Sequence, residues 1–341
     1  MLRKVLIGLS VAWVTFFTAQ CWQRNVSVPG SAFAGAGIAL RDLGLHRAAA
    51  LAFSAGIYFV PDAPLMYGGR AYSRSKTGHY DLALADYNHA LEIEGPNAHR
   101  FETRASLYFD MGRYSEAIAD YQAAIALEPD NVTLRTSLAT TYFYDKLYFD
   151  AAGSYAEALK LQPDQPSYLN YRGDAYIKGR FYDDAVADFT RALEIGTPET
   201  VHALARRAEA FGHLKRYDDA LNDYNSILEK NPADFHGHLG RAWAYNKLGN
   251  FDHAIEDYSF AVTKEPKNPQ HCFERAIAHS NKRDYALAIK DLDSAISLDV
   301  KVAAYSHPVG EYLYRAQFRR TTGDLNGALA DLNQALRLVC S

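Results

Sequence analysis

A skeleton of small and aromatic residues recurs about every 34 residues along nearly the whole chain. The stretch "RGDAYIKGRFYDDAVADF" at residues 172–189 has counterparts in "LATTYFYDKLYFDAAGSY" before it and "RAEAFGHLKRYDDALNDY" after it. The copies begin near residues 30, 64, 98, 132, 166, 201, 235, 269 and 309, with one extra residue near Thr197 and six inserted before the last copy. A fixed period of this length predicts an array of stacked structural repeats.

Each copy reads as two helices. Apolar or small residues at positions 4, 8 and 11 share one helical face, and those at positions 20, 24, 27 and 28 share another. Glycines such as Gly112, Gly249 and Gly323 lie between the faces, and five copies place proline at position 32, which suits a helix end. Position 8 is always Gly or Ala, position 20 is always Ala, and position 24 is aromatic in seven copies. We therefore expect antiparallel helical hairpins in which small residues face large ones.

The period, the small residues at positions 8 and 20, the aromatic residue at 24 and the proline at 32 resemble the tetratricopeptide repeat (TPR). The resemblance covers about residues 30–341. It implies an all-α fold, a right-handed α-solenoid of stacked antiparallel helix pairs with about eighteen helices. It also implies a concave surface of the kind that commonly binds a peptide or protein partner, without specifying which one.

The N-terminal segment differs from the repeats. Residues 1–24, "MLRKVLIGLSVAWVTFFTAQCWQR", place Arg3 and Lys4 before an uncharged apolar run from Val5 to Ala19. We interpret them as a signal-anchor helix, with a cleaved signal peptide as the alternative, followed by a linker at residues 25–29. The basic residues should stay cytoplasmic, so this interpretation predicts a membrane-associated protein whose solenoid lies in the periplasm or an equivalent lumen, or a secreted form after cleavage.

Two charged positions are unusually regular. Position 7, often leucine in the family, is arginine in seven copies, and position 23 is aspartate in the same seven. These residues are Arg70 and Asp86, Arg104 and Asp120, Arg172 and Asp188, Arg207 and Asp223, Arg241 and Asp257, Arg275 and Asp291, and Arg315 and Asp331. The two positions are mirror-related about the hairpin turn, which predicts a structural Arg–Asp pair within each repeat. The alternative is two independent surface preferences. A single exposed pair contributes only ~0–1 kcal/mol.

Other classes of function find little support in the sequence. A net charge of −4 and the lack of a dense Lys/Arg run argue against nucleic-acid binding. The chain has no Walker phosphate loop, HExxH, GxSxG or CxxC motif, and its twelve histidines are scattered. The repeats also leave no room for a separate catalytic domain. We therefore expect no catalytic residues, no metal and no cofactor.

Positions 5, 9 and 12 form a stripe on the first helix of each repeat, and in the family this stripe lines the concave side. In repeats seven to nine it carries apolar residues, which predicts a partner-binding surface. These residues are Leu239, Trp243, Phe273, Ile277 and Leu313. The alternative is that they fill the inner wall of the superhelix. Family members that clamp a chaperone's terminal carboxylate use Lys at position 5 and Asn at position 9. This chain has neither, so we expect no recognition of that type.

The last helix offers a second candidate contact. The sequence stops inside the ninth hairpin, where Leu332, Leu336 and Val339 recur at helical spacing. We expect self-association or partner docking through these residues, the alternative being a frayed last turn. Together these patterns predict a non-enzymatic scaffold or adaptor. The alternatives are a structural or assembly subunit that acts through the ends of its solenoid, or an auxiliary subunit of an envelope enzyme.

Overall fold

The computed structural model describes residues 30–302 and 308–340, and these residues form eighteen α-helices and no strand. The helices are α1 (Gly30–Asp42), α2 (His46–Phe59), α3 (Pro64–Ser75), α4 (Tyr80–Glu94), α5 (Ala98–Asp110), α6 (Tyr114–Leu127), α7 (Val132–Tyr144), α8 (Tyr148–Leu161), α9 (Pro166–Gly179), α10 (Tyr182–Ile195), α11 (Thr200–His213), α12 (Tyr217–Lys230), α13 (Phe235–Leu248), α14 (Phe251–Lys264), α15 (Pro269–Asn281), α16 (Tyr285–Val302), α17 (Val309–Thr321) and α18 (Leu325–Cys340). The predicted all-α class and the packing of consecutive helices in pairs are confirmed.

The odd-numbered helices are the first helices of the repeats. Eight of them begin at the residue where the sequence places a repeat start, and α11 begins one residue earlier, at Thr200. The insertion before the last repeat lies partly in α16, which is 18 residues long. The second helix ends two residues before the proline of position 32, as at Phe59 before Pro61 and Leu127 before Pro129. The residue between them is not helical, because proline disfavours helical backbone in its predecessor.

Small residues allow the two helices of each repeat to approach closely. The alanines at position 20 are completely buried in eight repeats and nearly so in the ninth. At position 8, a Cβ on Gly37 would lie 2.7 Å from the ring of Phe53, and one on Gly173 would lie 2.7 Å from the ring of Phe189. These are the two copies that combine glycine at position 8 with phenylalanine at position 24. Substitution by a larger residue would overpack these contacts.

The turn between the two helices places residue 15 of every repeat in the left-handed region. Five of the nine are glycines, which reach this conformation without steric cost. The other four, Lys146, Arg180, Lys215 and Arg283, have φ of 60° to 71°. The turn geometry is therefore imposed by the packing of the helices even where the residue does not favour it.

The helices divide into two compact units, which meet in sequence between Pro163 and Asp164. The first unit contains α1–α8 and the second α9–α18. Within each unit every helix packs on the next, and adjacent first helices also touch, as α1 and α3 do in the first unit and α11 and α13 in the second. None of the described helices is long and apolar enough to span a bilayer, and the predicted anchor at residues 1–24 lies outside the described residues.

Candidate protein-binding surface

The seven arginines of position 7 each bind both oxygens of the aspartate at position 23 of the same repeat. Nε donates to one oxygen and Nη2 to the other, at 2.6 to 3.0 Å. The aspartates are only 3–6% exposed. Burial raises the pKa of the Asp188 and Asp223 carboxyls, and the hydrogen bonds from Arg172 and Arg207 act in the opposite direction. The small contribution of an exposed ion pair to stability therefore does not apply here. These carboxylates are buried, and the arginines replace the water that would otherwise solvate their charge.

A third hydrogen bond ties neighbouring repeats together. In six of the seven pairs, Nη1 of the arginine donates to the side chain at position 25 of the preceding repeat. The acceptors are Ser54, Asn88, Thr190, Asn225, Ser259 and Asp293. This link was not predicted from the sequence, although every acceptor occupies the same repeat position. The Arg–Asp pairs thus form a frame that holds both the hairpin and the junction between hairpins.

Repeat four lacks the pair, and its place is partly empty. Leu138 and Ser154 occupy positions 7 and 23, and they line a cavity of about 300 Å³ between α6, α7 and α8. Gln122, at position 25 of the preceding repeat, donates to the hydroxyl of Tyr142 instead of accepting from an arginine. Repeat four therefore folds without the Arg–Asp frame, which in the first unit begins with Arg70 in repeat two.

The predicted apolar stripe is largely packed against neighbouring repeats. Leu239, Trp243, Phe273 and Ile277 are half-buried, and only Leu313 is exposed, at 47%. The Trp243 ring lies over Gly212, where a Cβ would approach it to 2.4 Å, and it meets Tyr217 edge-on at 5.6 Å. Phe273 meets Tyr314 edge-on at 5.4 Å. In α13 and α15 the stripe therefore packs against adjacent repeats, whereas Leu313, together with Tyr314 beside the stripe, is exposed.

In repeats five and six the same stripe carries Asp174 and Glu209, and both pair with Arg206, which lies beside the stripe. Asp174 accepts a hydrogen bond from Nε of Arg206 at 2.5 Å, and Arg206 also donates to Glu209. His202 lies 3.5 Å from the second oxygen of Asp174. Asn170 is fully buried and directs its Nδ2 toward Thr197 and Glu199 at 3.3 Å each. This part of the surface is polar, and Arg206 is shared by two of its carboxylates.

A cavity of about 420 Å³ opens among the first helices of repeats one to three. Its wall includes Gly68, Tyr87 and Arg100. Arg100 is only 9% exposed, and its Nε donates to Glu94 at 2.6 Å. Gly68 makes room for the guanidinium, because a Cβ there would lie 2.2 Å from Nη1. Arg100 was not singled out from the sequence, although the same repeat position carries Met66 and Leu134 in the neighbouring repeats, both buried.

Tyr87 closes another side of this cavity. It is 3% exposed, and burial raises the pKa of its phenol while the charge of Arg100 acts in the opposite direction. Within the described part of the chain, its hydroxyl makes no hydrogen bond, whereas the hydroxyl of Tyr155, at the same repeat position, pairs with Thr140 at 3.0 Å. The cavity therefore joins two buried polar side chains that retain unused donors.

Family models match several parts of the chain. A model described as a tetratricopeptide repeat matches residues 171–235, 209–269 and 239–304, a second of the same description matches residues 65–97, and one described as a TPR repeat matches residues 105–144. No curated protein matches the sequence.

Two solved structures illustrate the similarity of fold. A tetratricopeptide repeat protein from Parabacteroides merdae is 20% identical, with 78% of this chain and 98% of that chain covered and a TM-score of 0.53. The C-terminal part of a TPR repeat-containing protein from Cytophaga hutchinsonii is 19% identical, with 71% and 98% covered and a TM-score of 0.61. The repeat models together match more than half of the residues, and consecutive helices pack in pairs as they do in tetratricopeptide repeats. The chain therefore belongs to the tetratricopeptide repeat family.

Proposed function

We propose that this chain is a non-enzymatic scaffold that binds a protein or peptide partner through the stripe formed by positions 5, 9 and 12 of its first helices and the cavity beside it. One observation carries the proposal. The Arg–Asp frame recurs in seven of the nine repeats and the position-20 alanine in all nine. The stripe, in contrast, differs along the chain. It borders an open cavity in repeats one to three, is joined to ion pairs in repeats five and six, and carries apolar residues in repeats seven to nine.

A constant frame with a variable surface suits recognition, because chemistry that differs along the array can distinguish partners without altering the fold. Exposed apolar side chains such as Leu313 and Tyr314 would contact the partner, and the charged sections would fix its register. The repeat fold itself supports a scaffold rather than an enzyme, since proteins of this family commonly act by binding.

Exposed apolar residues on α18 favour a second candidate function, that of a structural or assembly subunit or an auxiliary subunit of an envelope enzyme. Leu332, Leu336 and Val339 are 47%, 62% and 69% exposed. Contact through this face would serve either self-association or docking to another subunit.

Membrane attachment through residues 1–24, with the repeats on the extracytoplasmic side, is part of the proposal and rests on the apolar run from Val5 to Ala19. Protease added to intact spheroplasts should digest the repeats, and carbonate washing should leave the chain in the membrane fraction. Protection from the protease, or release by carbonate, would contradict this part.

Crosslinking capture of the full chain from its native membranes tests the scaffold function. Leu313→Glu should reduce capture of the partner, whereas Leu287→Glu, which alters a leucine of equal exposure (48%) on α16, should not. Leu336→Glu separates the candidates, because loss of capture with this variant alone would favour assembly through α18. If all three variants capture the partner as well as the wild-type chain does, both candidate functions are contradicted.

A further inference from the structure

We infer that the cavity in repeats one to three binds a carboxylate of the partner, with Arg100 and Tyr87 as hydrogen-bond donors. The inference rests on the proposed scaffold function, because the carboxylate belongs to a bound peptide segment. All lining residues lie within the first compact unit.

The position of Arg100 is the first argument. Its repeat position is an apolar core position in the neighbouring repeats, where Met66 and Leu134 are buried. A guanidinium placed there loses hydration, and that loss is offset only where its donors find acceptors. Glu94 takes the Nε–H alone. The four N–H groups on Nη1 and Nη2 have no acceptor among the described residues.

The side chain that carries these four donors lines the cavity. The enclosed polar side-chain atoms without a partner in the described residues are on His46, Asn170 and His279, so the terminal nitrogens of Arg100 keep some accessible surface. We assign that surface to the cavity, because Arg100 lines the cavity and its side chain is otherwise about nine-tenths buried. Gly68 keeps this space open, because any side chain there would collide with Nη1.

The phenol of Tyr87 provides the second, independent argument. It is as deeply buried as its counterparts in other repeats, yet its hydroxyl has no hydrogen-bond partner among the described residues and borders the same cavity. The enclosed atoms without a partner do not include this hydroxyl oxygen, so it keeps accessible surface at the cavity and can donate to a bound group. One group with two acceptor oxygens, placed between Arg100 and Tyr87, would satisfy both side chains.

Charge and shape favour a carboxylate over other acceptors. The guanidinium offers two terminal nitrogens side by side, which match the two oxygens of a carboxylate and not the single oxygen of an amide. Glu94 already offsets Arg100, and Asp42 pairs with Arg41 at 2.9 Å, so a phosphate dianion would meet two nearby carboxylates. Ile38, Leu65 and Phe53 supply apolar walls for the adjoining part of a peptide. The residues differ from the Lys and Asn of the chaperone-type clamp.

The test is titration of the full chain with matched peptides, followed by calorimetry. Acetyl-Ala-Leu-Asp-Leu-Ala-amide should bind at least tenfold more tightly than the same peptide with Asn in place of Asp. Acetyl-Ala-Leu-Ala-Leu-Ala with a free C-terminus shows whether a terminal carboxylate is the better source, and inorganic phosphate should not compete. Binding of the Asn peptide that is as tight as binding of both carboxylate peptides, no saturable binding of either carboxylate peptide, or displacement by phosphate would overturn the inference.

Variants that borrow residues from other repeats keep the fold intact. Arg100→Met installs the residue of repeat two and should weaken binding of the favoured carboxylate peptide at least tenfold. Tyr87→Phe installs the residue found at Phe53 and Phe189 and should weaken it severalfold. Tyr121→Phe is the control, because Tyr121 occupies the same repeat position, is 6% exposed and does not line the cavity. Unchanged affinity in the first two variants, or an equal loss in the control, would refute the assignment.

Partner capture separates this inference from the scaffold function. If wild-type chain and Arg100→Met capture the partner equally, the scaffold function stands and the carboxylate site falls. If the peptide titration gives the expected differences but no partner is captured from membranes, the carboxylate site stands and the scaffold function falls.

Discussion

Arg207 and Asp223 are joined by two hydrogen bonds across the helices of one repeat, Nε to Oδ2 at 2.9 Å and Nη2 to Oδ1 at 2.6 Å. The third donor of Arg207, Nη1, reaches Thr190 of the preceding repeat at 3.0 Å. Asp223 is 4% exposed, so its charge has little contact with water and is stabilised mainly by the arginine. Removing one member of the pair therefore costs more stability than replacing both members.

Removing one partner of this pair should destabilise the chain more than removing both. Asp223→Ser alone leaves a buried guanidinium without its counter-ion, and we expect it to lower the free energy of unfolding by about 3–5 kcal/mol. The double variant Arg207→Leu with Asp223→Ser reproduces what repeat four carries at Leu138 and Ser154. It should recover most of that loss. Urea unfolding followed by circular dichroism measures both.

The control for this cycle is an exposed pair, Lys160 and Glu157, whose side chains are 69% and 46% exposed. Glu157→Ser should leave the stability close to that of wild type, because an exposed ion pair contributes little. A double variant at Arg207 and Asp223 that is no more stable than Asp223→Ser would contradict the role assigned to the desolvated charge.

Glycine should stabilise the turns that now carry lysine or arginine in the left-handed region. Lys215 has φ of 60° and is exposed, so Lys215→Gly removes the steric cost of the conformation, and we expect a gain of about 0.5–1 kcal/mol. Lys247→Gly, within α13, should instead cost about 1 kcal/mol. Thermal unfolding of the two variants compares them directly, and a loss of stability in Lys215→Gly would show that its side chain has another role.

Acidification should destabilise the chain through His279. Burial lowers the pKa of its imidazole, and its Nδ1 is enclosed without a hydrogen-bond partner in the described residues. A histidine with a lowered folded-state pKa stabilises the fold above its unfolded pKa of about 6.5, and that stability is lost as the pH falls through the folded pKa. His279→Tyr, which installs the residue of Tyr176 and Tyr245, should therefore lose less stability than wild type between pH 7 and pH 5. Urea unfolding of the two proteins at pH 7 and pH 5 measures the difference.

The sequence predicted what depends on repetition, because a pattern seen nine times separates packing requirements from chance. Helix starts, the buried alanines and the positions of the arginines and aspartates all follow from it. The left-handed turns at Lys146 and Arg180 were not predicted, because tertiary packing overrides the local preference there. Arg100 was not predicted because an arginine occurs at this repeat position only once, so no repeated pattern marks it. Its importance becomes visible only when the apolar residues at the equivalent positions of neighbouring repeats are seen to be buried.

The half-buried position of Trp243 changes what its substitution should do. Because its ring packs on Gly212 and Tyr217, Trp243→Ala should leave a void and lower stability by about 2 kcal/mol. Leu313→Ala should change stability by less than about 0.5 kcal/mol, since that side chain is exposed. Melting temperatures of the two variants are the measurement. If Trp243→Ala melts as wild type does, its ring does not contribute to the wall and is available to a partner.

Damage to one repeat should spread first to its neighbours. Ala254 is fully buried at position 20 of repeat seven and packs with Ala242, Tyr258 and Ala278. Ala254→Leu should overpack this contact by about 1–3 kcal/mol, because α13 and α14 cannot separate without disturbing α15. Hydrogen exchange should then accelerate in α13–α15 before it does in α9 and α10, as expected where each repeat is coupled mainly to the next. Ala286→Leu, on the exposed side of α16, is the matched control and should leave exchange unchanged. Uniform acceleration across all described helices would mean that the array unfolds as one cooperative unit.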